Sequence, residues 1–121
     1  MLNCLMVGIG GFLGSVARYL MGLIPIDKSG SFPVNTLIIN IIGSFAIGLI
    51  AAFVSKGSGL DERYILLLKT GICGGFTTFS TFALESVTLF QSGRPAAAVA
   101  YCALSLVLSI AAVFLAQSLA G

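Results

Sequence analysis

The chain has 121 residues, of which 58% are hydrophobic and only 8% charged, with a net charge of +2. A soluble domain carries about 25% charged residues, so this chain cannot cover its own surface with polar groups, and lipid must be its main solvent. One domain, residues 1–121, is all the length allows. Six scattered Lys and Arg form no basic cluster and exclude nucleic acid as a partner. The absence of His and the wide spacing of Cys4, Cys73 and Cys102 leave a zinc site without ligands.

A helix crosses the hydrocarbon core with roughly 20 apolar residues. The first such window runs from Cys4 to Ile24 and is closed by Pro25. Nothing basic precedes it in Met1-Leu2-Asn3, so it is expected to remain as a span rather than be cleaved as a signal peptide. Gly11, Gly14, Ser15, Arg18 and Gly22 fall on one stripe of it at helical spacing. Small residues in that pattern serve close packing. Arg18, near the end of the span, is open to three readings: snorkelling to the interface, anchoring a second copy, or drawing anions into a vestibule.

The second window runs from Val34 to Val54, with Thr36, Asn40, Gly43, Ser44 and Gly48 on one stripe. Asn40 stands apart from the small residues. A side-chain amide at mid-span is costly in lipid and needs partners. Its two N–H donors suit an anion or a carbonyl.

The third window, Tyr64 to Phe90, is long. At about 1.5 Å per residue it makes a straight helix of roughly 40 Å, against a core of roughly 30 Å. Its centre reads Gly71-Ile72-Cys73-Gly74-Gly75-Phe76-Thr77-Thr78-Phe79-Ser80-Thr81-Phe82, and adjacent glycines followed by two β-branched threonines make a poor helix interior. A helix broken at its centre is expected. Its freed carbonyls suit a small cation. The amino end of its second half, with the hydroxyls of Thr78, Ser80 and Thr81, suits an anion. The bland alternative is a glycine hinge whose threonines bond back to the backbone. Phe79 and Phe82, three apart, share a face, and a ring edge is positive enough to solvate a small anion, although such a pair also serves lipid contact or packing. Glu85, in line with Thr81 and Thr88, is the carboxylate inside this window, readable as a proton or ion site or as a capped structural acid.

The fourth window runs from Ala96 to Leu119, with Tyr101, Ser105 and Ser109 at i, i+4 and i+8. Four spans put both termini on one side. Lys56, Arg63 and Lys69 then lie toward that side, and Arg18, Lys28 and Arg94 toward the other. The positive-inside rule works on the difference between such counts. Here there is none, which leaves open one orientation or two, and in the second case an antiparallel dimer.

The run Gly74-Gly75-Phe76-Thr77-Thr78-Phe79-Ser80-Thr81-Phe82, with Gly10-Gly11-x-x-Gly14 to Arg18-Tyr19 before it and Asn40-x-x-Gly43 between, resembles the CrcB/Fluc fluoride channels. The likeness covers all four spans and implies an all-α integral membrane protein, an ion channel and not an enzyme. It implies an antiparallel, dual-topology homodimer with two fluoride pores, exporting toxic fluoride passively through the inner membrane of a prokaryote. In that resemblance Phe79 and Phe82 are the paired pore phenylalanines and Asn40 the pore asparagine. Ser80 and Thr81 are hydroxyls of a polar track, Glu85 is the acid at its end, and Tyr101 and Ser105 are pore-side residues of the last span. Gly74 and Thr77 supply backbone carbonyls to a central structural sodium ion. The competing reading is a proton-coupled exporter of the small multidrug type, whose acid is expected in the first span, where this chain has none.

Overall fold

The computed structural model describes residues 1–27, 30–57 and 59–120. Lys28 of the basic count lies outside the described residues, as do Ser29, Ser58 and Gly121. All regular structure in the described residues is helical: α1 (Leu2–Gly22), α2 (Val34–Ser55), α3 (Glu62–Ile65), a π-helical stretch Leu66–Cys73, α4 (Gly74–Phe76), α5 (Phe79–Gln91) and α6 (Pro95–Ala120). Among the described residues, four helical runs are long and apolar enough to cross a membrane: Leu2–Gly22, Val34–Ser55, Glu62–Gln91 and Pro95–Ala120. Each matches an expected window within about two residues, the margin by which helix ends fray. Large apolar side chains such as Phe12, Phe90, Phe114 and Leu119 point outward from the chain, as they must where lipid is the solvent.

The helix starts and stops follow local chemistry. Pro33 stands at the N-cap of α2 and Pro95 is the first residue of α6, positions where a missing N–H costs nothing. Asp61 caps α3 by accepting from the Arg63 N–H at 3.1 Å. Hydrogen bonds from Arg63 also hold the Asp61 carboxyl below its usual range. Gly93 turns the chain between α5 and α6 with φ +79°, a conformation that suits glycine.

Two glycine seams bring the spans together. Gly10 and Gly14 of α1 are buried against the π-helical stretch and α4. A Cβ on Gly71 would sit 2.7 Å from the Gly10 Cα, and one on Gly75 would sit 2.7 Å from the Gly11 carbonyl oxygen. Two small-xxx-small pairs, Gly10/Gly14 and Gly71/Gly75, thus face each other and let the backbones touch. The packed stripe of α1 therefore runs along Gly10 and Gly14 rather than on to Gly22, where a Cβ would meet nothing within 4 Å. On the other side α2 lies against α6, with Gly48 set against Val113 and Ala116.

The π-helical stretch was not expected. It sits directly ahead of the break and places Gly71 and Cys73 in the interior, in keeping with the habit of π segments to occur beside functional sites. Replacing Gly14 with valine should unfold this seam, because a Cβ there meets the Ile72 carbonyl and the Phe76 nitrogen. Backbone cannot rotate aside as a side chain does, so the cost should exceed the roughly 1–3 kcal/mol of ordinary overpacking. Gly8→Ala, with nothing within 4 Å, should leave the chain at least as stable. The fraction of protein surviving gel filtration after graded heating checks both.

Candidate functional site

The third span breaks at two residues. Thr77 (φ −79°, ψ 156°) and Thr78 (φ −146°, ψ 121°) are extended between α4 and α5. The glycines before them stay helical. The lack of a side chain at Gly75 serves the α1 seam, and the β-branched threonines are the residues that leave the helix.

A break inside a membrane exposes backbone groups that must be answered within the protein. Asn40 answers Thr78 twice: its Nδ2 donates to the Thr78 carbonyl at 3.1 Å and its Oδ1 accepts from the Thr78 N–H at 2.9 Å. The side-chain amide thus replaces one peptide unit of ladder bonding and latches α2 to the break. Gly43, one turn further along α2, admits the Thr77 methyl and the Phe76 ring. Thr78 also caps α5, its hydroxyl oxygen accepting from the Thr81 N–H at 3.2 Å. The Thr77 hydroxyl turns back and donates to the Cys73 carbonyl at 2.9 Å. On the α1 side, Arg18 Nε donates to the Gly75 carbonyl at 3.2 Å. Among the described residues, no side chain donates to the carbonyls of Gly74 or Thr77.

Two open cavities flank this latch, and Thr78 lines both. The first, about 300 Å³, is lined by Asn40, Gly74, Thr77, Phe79, Phe82 and Ser105, among others. The Ser105 hydroxyl is buried there with no hydrogen-bond partner among the described residues, although a polar atom cut off from water normally has one. Phe79 is 79% exposed on the single chain, and its ring lies 5.7 Å from that of Phe82. The second cavity, about 600 Å³, is lined by Arg18, Asn35, Thr36, Thr81 and Glu85, among others. Glu85 accepts from the Tyr101 hydroxyl at 2.9 Å and from the Thr36 hydroxyl at 3.1 Å. Tyr101 is fully buried, with its ring 5.2 Å from Phe82 and 5.5 Å from Phe32.

Asn40, Phe79, Phe82, Ser105, Gly74 and Thr77 therefore meet at one cavity, and Thr81 and Glu85 at the other. Tyr101 lines neither cavity and is bonded to Glu85 and packed on Phe82. Ser80 is exposed and lines neither cavity. The sequence reading left out of the site Thr36, the second donor to Glu85, and the tie from Arg18 to the break. The polar stripe Thr36–Asn40 on α2 was the signal for the first. The second joins residues 57 apart and left no local trace.

The family described as CrcB-like protein, Camphor Resistance (CrcB), matches residues 5–117. A fluoride-specific ion channel FluC of Agrobacterium fabrum is 46% identical over 115 residues, covering 94% of this chain and 92% of that protein. A protein of the same name from Rhizobium meliloti is 43% identical over 113 residues, covering 93% and 90%. The fluoride-specific ion channel FluC 1 of Yersinia pestis is 46% identical over 117 residues, covering 96% and 92%.

Proposed function

Since the chain belongs to the CrcB-like family, we propose that it is a fluoride channel, a passive transporter and not an enzyme, and that fluoride passes beside the broken third span. The observation that carries this reading is the latch itself. Asn40 holds Thr78, the second of the two extended residues, at mid-span, and donors and ring edges line the adjoining cavity. Fluoride is small and strongly hydrated, so a path for it must replace water donors. In this chain the Ser105 hydroxyl, the second Nδ2 hydrogen of Asn40 and the edges of Phe79 and Phe82 can do so. Thr81, Glu85 and Tyr101 continue the polar track on this reading, and Ser80, which lines neither cavity of the single chain, joins it only in the assembled channel. Among the described residues no lysine or arginine lines the first cavity, which suits conduction, because a fixed cation there would hold the anion too firmly to release it.

The working unit on this reading is an antiparallel homodimer with two pores. The equal basic counts on the two sides of the sequence support it, and so does the exposure of Phe79, an apolar ring beside polar groups that a second copy would cover. The membrane is the prokaryotic inner membrane, supported by bacterial relatives and by helical spans, since outer-membrane proteins of the barrel type span with strands. The central sodium ion fits the donors at the break. The Gly74 and Thr77 carbonyls are hard oxygen ligands of the kind such ions prefer, and no side chain among the described residues occupies them. One chain offers two such carbonyls and two chains four. Sodium would supply a fixed positive charge and bind the two breaks together. Replacing sodium with a large organic cation should lower fluoride flux and loosen the dimer on gel filtration, and unchanged flux and elution would remove the ion from the account.

Charge bookkeeping tests the channel against a proton-coupled exporter. Liposomes loaded with fluoride and held without a pH gradient should release it when a potassium ionophore opens a counter-path. Without the ionophore release should stall, because each anion leaving alone builds a potential. Fluoride movement that needs a proton gradient would favour the exporter.

A further inference from the structure

We propose that Arg18 is a positioning residue for the break, acting through its Nε–H on the Gly75 carbonyl rather than through its charge. The proposal rests on the reading of the break as the fluoride path, but its geometry is independent of any ion.

The break ends the first half of the third span at Phe76, so the carbonyls of its last turn have lost their helical donors. Gly75 is in that turn. Its carbonyl receives the half-buried Arg18 Nε at 3.2 Å. The seam delivers the side chain there. Gly14 lets α1 touch the backbone of Ile72, Gly75 and Phe76, and Arg18, one helical turn beyond Gly14, lies on the same face. On the far side of the break, Asn40 holds both backbone groups of Thr78. One helix thus pins the last residues before the extended pair, and another pins the second residue of the pair. Removing either pin lets Thr77 and Thr78 rotate, and their carbonyls and N–H groups with them. Leaving the Gly75 carbonyl without a donor away from water costs about 1–3 kcal/mol, so losing this bond should lower the population of the pinned break roughly 5- to 150-fold.

Two substitutions separate the bond from the charge. Glutamine places its Nε2–H the same number of bonds from the backbone as the arginine Nε, without the charge. Methionine keeps the length and has neither. Amide hydrogen exchange over Thr77–Phe82 reads the break whether or not the protein conducts, and fluoride efflux from liposomes reads the consequence. Gel filtration confirms that each variant assembles. The expected result is exchange at least about fivefold faster in Arg18→Met, with efflux falling in parallel, and near-parental values of both in Arg18→Gln. If Arg18→Gln exchanges as fast as Arg18→Met, or Arg18→Met exchanges as slowly as the parent, the proposal is wrong. Should Arg18→Met not assemble, Arg18→Gln against the parent still decides, because slow exchange without the charge supports the bond and fast exchange overturns it. A parent that protects the break yet moves no fluoride would overturn the function proposed above and leave this inference standing.

Discussion

Asn40→Asp is expected to bring fluoride efflux down to the level of protein-free liposomes. The carboxylate can still accept from the Thr78 N–H, as Oδ1 does now at 2.9 Å. Its other oxygen, however, comes to lie where Nδ2 donates to the Thr78 carbonyl at 3.1 Å, and two acceptors then face each other. A carbonyl left unsatisfied away from water costs about 1–3 kcal/mol, a shift of roughly 5- to 150-fold in any two-state balance. The ionised carboxylate also repels the anion in a weakly screened place. Both effects act in one direction, which is why this single change carries the largest expected loss. Asn40→Ala removes the latch without adding charge and should leave a residual flux. If Asn40→Asp conducts as the parent does, neither the latch nor the amide donors belong to the fluoride path.

The second large effect is expected at the rings. Phe79→Ile and Phe82→Ile keep apolar bulk and remove the positive ring edge. If an edge supplies about 1.4 kcal/mol at the barrier, each change slows efflux about tenfold. The two should differ in stability. Phe82 lies between the rings of Phe79 and Tyr101, at 5.7 and 5.2 Å, so its loss also opens a gap in the buried cluster of Tyr101, Leu89 and Ala98. Phe79, 79% exposed on the single chain, supports little within it. Phe53, 63% exposed near the end of α2, lines neither cavity, and Phe53→Leu should be nearly silent. Efflux at equal protein loading, with gel filtration beside it, makes the comparison. Ring mutants that conduct like the parent, with Phe53→Leu impaired, would mean that the rings only pack.

The four spans were legible in the sequence because lipid imposes a length and a composition that no short soluble helix satisfies. The break was legible too, since the window Tyr64 to Phe90 is too long to cross straight and its centre is poor in helix formers. Its exact place was not. The run Gly74-Gly75-Phe76-Thr77-Thr78 marked the break as a whole without saying which of its residues leave the helix; Gly75, packed on α1, stays helical, and the two threonines do not. That Asn40 needs partners followed from its burial cost, but its partner stands 38 residues away. The partner of Thr36 is 49 away. Such pairings depend on which helix faces which, and periodicity within one helix carries no record of that. Ser80, given a place in a polar track by the family resemblance, is exposed and lines neither cavity of the single chain.

The central claim is that fluoride crosses the membrane beside the Thr77–Thr78 break, and selectivity in a purified system tests it most directly. Liposomes holding only this protein are loaded with equal concentrations of fluoride and chloride, and a potassium ionophore is added while both anions are followed outside. The account predicts that fluoride leaves rapidly while chloride leaves no faster than from protein-free vesicles. Fluoride release at the protein-free rate, or chloride release as fast as fluoride, would contradict it.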